Sequence, residues 1–427
     1  MKFNTISRIA MAATVSVAIA FGTTACIRDY TADYVYAVSN STGQISAYGV
    51  DYQSGVLTQI SGSPFATNLT NPSTVVAAPN GKTIYIIGGS QNANVEVMSV
   101  GSDGKLYGQA TPSLTGGATY PTAAAIDLAG TYLYVAYTYQ SGYSPVSPGP
   151  GGVAIFPINA DGTLGTPTNV NVGNTPVALA TSAPTCTATP ALGSNSSPNC
   201  VVLGSSGTAN NGTNQSFVYV VDAEQIPGGT PTILGFVENP TTGALTPIPG
   251  SNPNHGFSAG VFPSSIAIDP TGKYVYVTDK AQNQVYGYGI SNNTSGALTG
   301  LTTSPFATGQ YPVSITIEPR GKYVYVANYN SQTVSSYSLN LSNGSLGASA
   351  GSNFTTTTGP TCVTVEPALG IYLYTSDYLN ASISGGQLSP NTGALSAVAT
   401  SFFPSVSQPI CVVSVPNGLH ASQSTQP

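Results

Sequence analysis

Two histidines, His255 and His420, are the only groups in this 427-residue chain with ordinary pKa values close to neutral. His420 falls in a polar tail, so general-base work would rest on His255, with Asp279 or Asp377 assisting. That set suits activation of a water molecule for hydrolysis. A Ser-His-Asp triad would have to draw on the same histidine. There is no His/Cys zinc spacing, no phosphate-cradling glycine loop and no EF-hand. Asp222, Asp279, Asn328 and Asp377 offer the oxygen ligands that Ca²⁺ prefers, but their spacing specifies no site, so no cofactor is expected.

Binding chemistry is better supplied. Tyr137, Tyr139 and Tyr143 sit in the stretch Tyr137 to Gly152, and Tyr329 and Tyr378 each follow a short strand. A tyrosine offers a flat apolar ring with a hydroxyl, which suits a sugar face or a protein hot spot. Asn40, Asp222, Asp279, Asn328 and Asp377 recur after equivalent strands, where Asn and Asp commonly bond their own turn backbone. The same applies to Asp127, Asp269, Glu318 and Glu366 before another turn. The structural role outweighs ligand contact at these positions.

What positions them is a repeat. Pro263 to Val277 reads PSSIAIDPTGKYVYV, and Pro312 to Val326 reads PVSITIEPRGKYVYV. Opening prolines at 72, 121, 176, 263, 312, 360 and 409 set a basic period of about 49 residues. Each unit runs from an apolar strand through an acid-Pro-x-Gly turn into an alternating aromatic and aliphatic strand. A third strand, a Gly-x-Leu turn and a weaker fourth strand complete it. Four antiparallel strands at this period are the signature of a β-propeller blade. The first unit, from Tyr34, lacks its proline strand, and the chain ends with an orphan one from Pro409. The expected fold is all-β, a seven-bladed propeller whose N- and C-terminal strands share one closing blade.

Three insertions break the period: Ser182 to Gln215, Tyr137 to Gly152, and Ser251 to Phe262. The last two are expected on one face of the disc, with the loops that follow each second strand, and the first on the opposite face. Loops on a rigid scaffold are where binding concentrates. A small-molecule, glycan or protein ligand is therefore expected on the face of His255 and the tyrosines.

Only 6% of residues are charged and the net charge is −6, with arginine at 8, 28 and 320 alone. Nothing here forms the basic patch that nucleic acid requires. Residues 1–25 read as an export signal: Lys2 and Arg8 precede an uncharged run too short to span a bilayer. With Cys26 next, the segment resembles a lipoprotein signal, although Thr23 stands where such signals usually carry Leu and ordinary cleavage after Ala25 stays open. The expected layout is signal at 1–25, tether at 26–33, propeller at 34–418 and polar tail at 419–427. The protein is expected to be a monomer, periplasmic or at the cell surface, and membrane-bound only through a lipid on Cys26. Without that lipid it would be secreted. The other four cysteines suit an oxidising compartment. Cys186 and Cys200 share one insertion and are expected to pair. Cys362 and Cys411 each lie two residues after an opening proline, where adjacent inner strands would either bond them or leave two buried thiols.

The units PTGKYVYVTDKAQNQVYGYGI and PRGKYVYVANYNSQTVSSYSL resemble two repeat groups. One is the lactonase-type seven-bladed propeller family, including 6-phosphogluconolactonase and carboxymuconate-cyclising enzymes. The other is the YVTN repeat of bacterial surface and periplasmic propellers, to which Tyr325-Val326-Ala327-Asn328 is similar. The resemblance covers roughly residues 34 to 418 and implies the seven-bladed ring. It also implies lactone chemistry, but the family's Gly-Pro-Arg-His phrase and its Glu after Ala-Asn are missing. The openings here are Pro263-Ser264-Ser265, Pro312-Val313-Ser314 and Pro360-Thr361-Cys362, and the Glu position holds Lys280, Tyr329 or Tyr378. Two readings follow: an exported propeller hydrolysing a neutral lactone, or an envelope propeller that binds glycan or protein without catalysis.

Overall fold

The computed structural model describes residues 30–89, 93–114, 117–140, 142–144, 147, 149–173, 176–181, 216–223, 230–248, 256–291 and 295–418. The expected export signal, Cys26, Cys186, Cys200, His255 and the tail 419–427 lie outside them.

Seven antiparallel sheets form the blades. Blade one is composite: the C-terminal strand Pro409–Pro416 is its inner edge and pairs with Thr31–Ser39, followed by Gln44–Asp51 and Leu57–Gln59. Blades two to seven open with Thr74–Ala77, Thr119–Ile126, Pro176–Thr181, Pro263–Ile268, Pro312–Ile317 and Pro360–Val365. Each of these inner strands touches the next, and Pro409–Pro416 touches both Pro360–Val365 and Thr74–Ala77, so the ring is closed. The first strand begins at Thr31, three residues before the aromatic run that marks it in the sequence.

Burial follows position in the blade. Second strands such as Tyr274–Asp279 and Tyr323–Asn328 are buried throughout, because both faces pack on neighbouring blades. The inner strands are half open toward the axis, and fourth strands such as Leu298–Gly300 are mostly exposed.

The recurring tyrosines and glycines meet between blades. In every second strand one buried tyrosine donates its hydroxyl to the carbonyl of a turn glycine in the next blade. The pairs are Tyr36 to Gly104, Tyr85 to Gly162, Tyr134 to Gly243, Tyr219 to Gly296, Tyr276 to Gly344, Tyr325 to Gly393 and Tyr374 to Gly55, at 2.6 to 3.2 Å. Gly344 has φ 74°, and a Cβ there would stand 2.5 Å from the Tyr274 ring, so both conformation and space require glycine.

The seam between blades seven and one carries two further links. Cys362 and Cys411 are joined by a disulfide, their Cα atoms 4.9 Å apart. In blades five and six the matching residues, Ser265 and Ser314, instead accept hydrogen bonds from the amides of Ile315 and Val363 in the next inner strand, at 3.3 and 3.2 Å. The disulfide thus replaces a ring-position hydrogen bond with a covalent one. At the other end of the seam, buried Asp33 stands beside Glu366 and accepts the amide of Ala368 at 3.3 Å. Glu366 is already held by the amides of Leu369, Ile371 and Tyr372 at 2.7, 2.8 and 3.1 Å, so Asp33 is the carboxyl that keeps the proton. Burial and then Glu366 push the Asp33 pKa up to about 10.

Candidate functional site

The loops after second strands and the residues before opening prolines share one face. Amides of Lys280, Tyr329, Tyr378 and Asn40 donate to the carbonyls of Phe262, Tyr311, Gly359 and Gln408, at 2.9 to 3.0 Å. The entry residues Asn71, Tyr120, Tyr311, Gly359 and Gln408 are left-handed, with φ from 49° to 73°, which turns each chain from the rim into its inner strand.

The recurrent acids of this face are withdrawn into the scaffold. Asp279 is fully buried, and its carboxylate accepts the amides of Val261, Phe262, Ala281 and Gln282 at 2.6, 3.3, 2.9 and 3.1 Å. Asp377 is buried among hydroxyls, accepting from Thr357 at 2.6 Å, Thr375 at 2.8 Å and Ser384. Burial raises its pKa while those hydroxyl donors pull it back. Asn328 donates to Ser335 at 2.9 Å and accepts from Thr308 at 3.0 Å. Asp222 is buried with its carboxylate against Gly173. Among the described residues no three His, Cys, Asp or Glu side chains gather as a metal site. The acids of the opposite face are equally committed. Asp127 accepts the amides of Thr131 and Tyr132 at 2.6 and 2.7 Å, and Asp269 those of Lys273 and Tyr274 at 2.8 and 2.6 Å.

The tyrosines divide. Tyr137 is buried between blades, where burial raises its pKa, and it offers no ring to a ligand. Tyr139 stands edge-on to Tyr120, their ring centres 5.7 Å apart. Tyr143 is exposed and covers Gly149. Tyr329 lies 6.1 Å from Tyr311. Tyr378 is half-buried at the start of its loop.

A continuous band therefore crosses blades five, six and seven. Phe262 and Tyr311 flank Lys280, whose Nζ lies 4.4 Å and 5.6 Å from their ring centres. Tyr311 meets Tyr329. Tyr329 and Leu379 then close over Gly359, where an added Cβ would stand 3.1 and 3.0 Å from them. Phe262, Tyr311 and Leu379 are 37%, 38% and 62% exposed, with Val261 beside them at 54%. Sequence reading placed Lys280 at the family's Glu position and gave it no role. Its meaning comes from Phe262 and Tyr311, which belong to loops of two different blades.

Gly347-Ala348-Ser349-Ala350-Gly351 has the spacing of a nucleophile elbow. It lies inside the outer strand Leu346–Thr355 rather than at a strand-to-helix turn, and Ser349 is buried there.

The model of the family "Lactonase, 7-bladed beta-propeller" matches residues 26–182 and 214–365, well over half of the chain. The chain belongs to the lactonase propeller family. A Bacteroides uniformis structure assigned as a 6-phosphogluconolactonase is similar at TM-score 0.67 and 18% identity, covering 90% of this chain and 100% of that one. A Bacteroides fragilis structure of the same assignment is similar at 0.65 and 19%, covering 91% and 99%. The Pseudomonas aeruginosa periplasmic gluconolactonase is similar at 0.66 and 16%, covering 90% and 99%. At these identities the likeness is one of fold. No functionally curated protein matches the sequence. Within the lactonase family, this member meets the rim with rings and one lysine rather than with the Arg-His phrase.

Proposed function

We propose that this lactonase-family propeller receives a sugar ring, as a sugar lactone or a glycan unit, on the band formed by Phe262, Tyr311, Tyr329 and Leu379. The observation that carries the reading is the contiguity of that band across three blades, on a face whose recurrent carboxylates are buried in turns. An aromatic surface of this kind offers apolar area to the C–H face of a pyranose, and tyrosine hydroxyls offer hydrogen bonds to its edge. The protein is proposed to work outside the cytoplasm, after export by residues 1–25, on a Cys26 lipid tether or secreted.

Family membership favours hydrolysis of the bound lactone as the second reading. Its base would be His255, next in the chain to Gly256 and seven residues ahead of Phe262. Purified protein and His255→Ala, assayed side by side on several neutral lactones, separate the two. Activity lost in the variant supports hydrolysis through His255, equal activity removes that role, and saturable binding without turnover leaves recognition as the function.

A further inference from the structure

Six lysines and arginines lie among the described residues. Lys82, Lys273, Arg320 and Lys322 are in turns between first and second strands, and Lys105 is in a turn between third and fourth, all on the face opposite the aromatic band. Lys280 alone stands on the band's face. The ion pairs formed among the described residues are Lys105 with Asp103 at 2.7 Å and Arg320 with Glu318 at 2.9 Å, so Lys280 has no carboxylate partner there. The nearest acid in sequence, Asp279, spends its oxygens on four backbone amides.

We infer that Lys280 is the seat for a carboxylate carried by the ring that stacks on the band, so that an acidic sugar such as a hexuronate is held in preference to its neutral counterpart. The inference rests on the ring-binding reading above and adds the charge of the ligand. Phe262 and Tyr311 both hold the ammonium over a ring face, at 4.4 and 5.6 Å from the ring centres, beside the exposed part of the band. Burial lowers the Lys280 pKa, and an arriving anion would offset that desolvation. A charge-assisted hydrogen bond at a half-buried position is worth about ten- to a hundredfold in affinity.

The test is calorimetric titration of the whole exported chain with methyl β-glucuronide and with methyl β-glucoside, which differ in the carboxylate alone. It is repeated with Lys280→Met, which keeps an unbranched apolar stem, and Lys280→Arg, which keeps the charge. Tighter binding of the glucuronide by at least about tenfold, weakened by added salt, retained in Lys280→Arg and lost in Lys280→Met, is the expected result. Equal affinity of the unmodified protein for both sugars overturns the carboxylate seat and leaves the ring reading standing. A preference that survives in Lys280→Met overturns it as well. Binding of neither sugar overturns both.

Discussion

The seven tyrosine-to-glycine hydrogen bonds make the most quantitative prediction. Tyr276→Phe removes one hydroxyl and changes no other heavy atom, yet it strips the Gly344 carbonyl of a donor that stands 2.7 Å away. Tyr276 is fully buried, so water cannot take the place of the lost group. An acceptor left unsatisfied in this way costs about 1 to 3 kcal/mol. With an unfolding entropy of about 2.1 cal/mol/K per residue over a domain of roughly 390 residues, the melting temperature should fall by about 1 to 4 °C. Thermal melting followed by circular dichroism reads this directly. Urea unfolding should show a lower midpoint at unchanged slope. Tyr107→Phe, on an exposed outer strand, is the control and should leave both unchanged. Combining Tyr276→Phe with Tyr36→Phe, in distant blades, should add the two losses. A Tyr276→Phe protein that melts within about 0.5 °C of the parent would refute the reasoning, because the hydroxyl would then contribute nothing across the interface.

Other outcomes follow from the same geometry. The folded protein holds a proton on Asp33 that the unfolded chain releases from about pH 4 upward, so this group's stabilisation is complete in acid and is lost as pH rises toward about 10. Asp33→Asn, which keeps a polar group beside Glu366 without ionising, should flatten that decline by at most about 1.4 kcal/mol per pH unit, seen in melts from pH 5 to 9. The disulfide closes a loop of sequence separation 49, so its reduction should cost up to about 4 kcal/mol, and that part of the reductant's effect should be absent from a Cys362→Ser, Cys411→Ser double variant. Asp279→Ala should cost about 1 to 3 kcal/mol in denaturant melts through its four orphaned amides.

The ring was legible because proline, the acid turn and the alternating tyrosines restate one local structure at constant spacing, and the missing first strand of the first unit matched the orphan strand from Pro409. The buried acids were legible too: Asp279 and Asp269 recur at turn positions, and recurrence is the mark of a backbone role. Partnerships between blades were not. Nothing local tells that Tyr276 reaches Gly344, that Asp33 meets Glu366 from the other end of the chain, or that Cys362 bonds Cys411 rather than staying a thiol. Lys280 was hidden for the same reason. Its rings come from the entry turns of blades five and six, and only the packing of those two blades brings both near it. Tyr137 was misjudged as a rim residue because strand alternation, not loop composition, decides its direction.

The most direct test of ring binding on the aromatic band is the affinity of the protein for D-glucono-1,5-lactone, titrated beside Tyr311→Ala. Tyr311 joins Lys280 to Tyr329, and removing its ring takes away the middle of the band. Loss of one stacking aromatic is worth about 1.5 to 3 kcal/mol, so saturable binding by the parent and affinity at least tenfold weaker in the variant are predicted. Equal affinity in the two proteins would contradict the account.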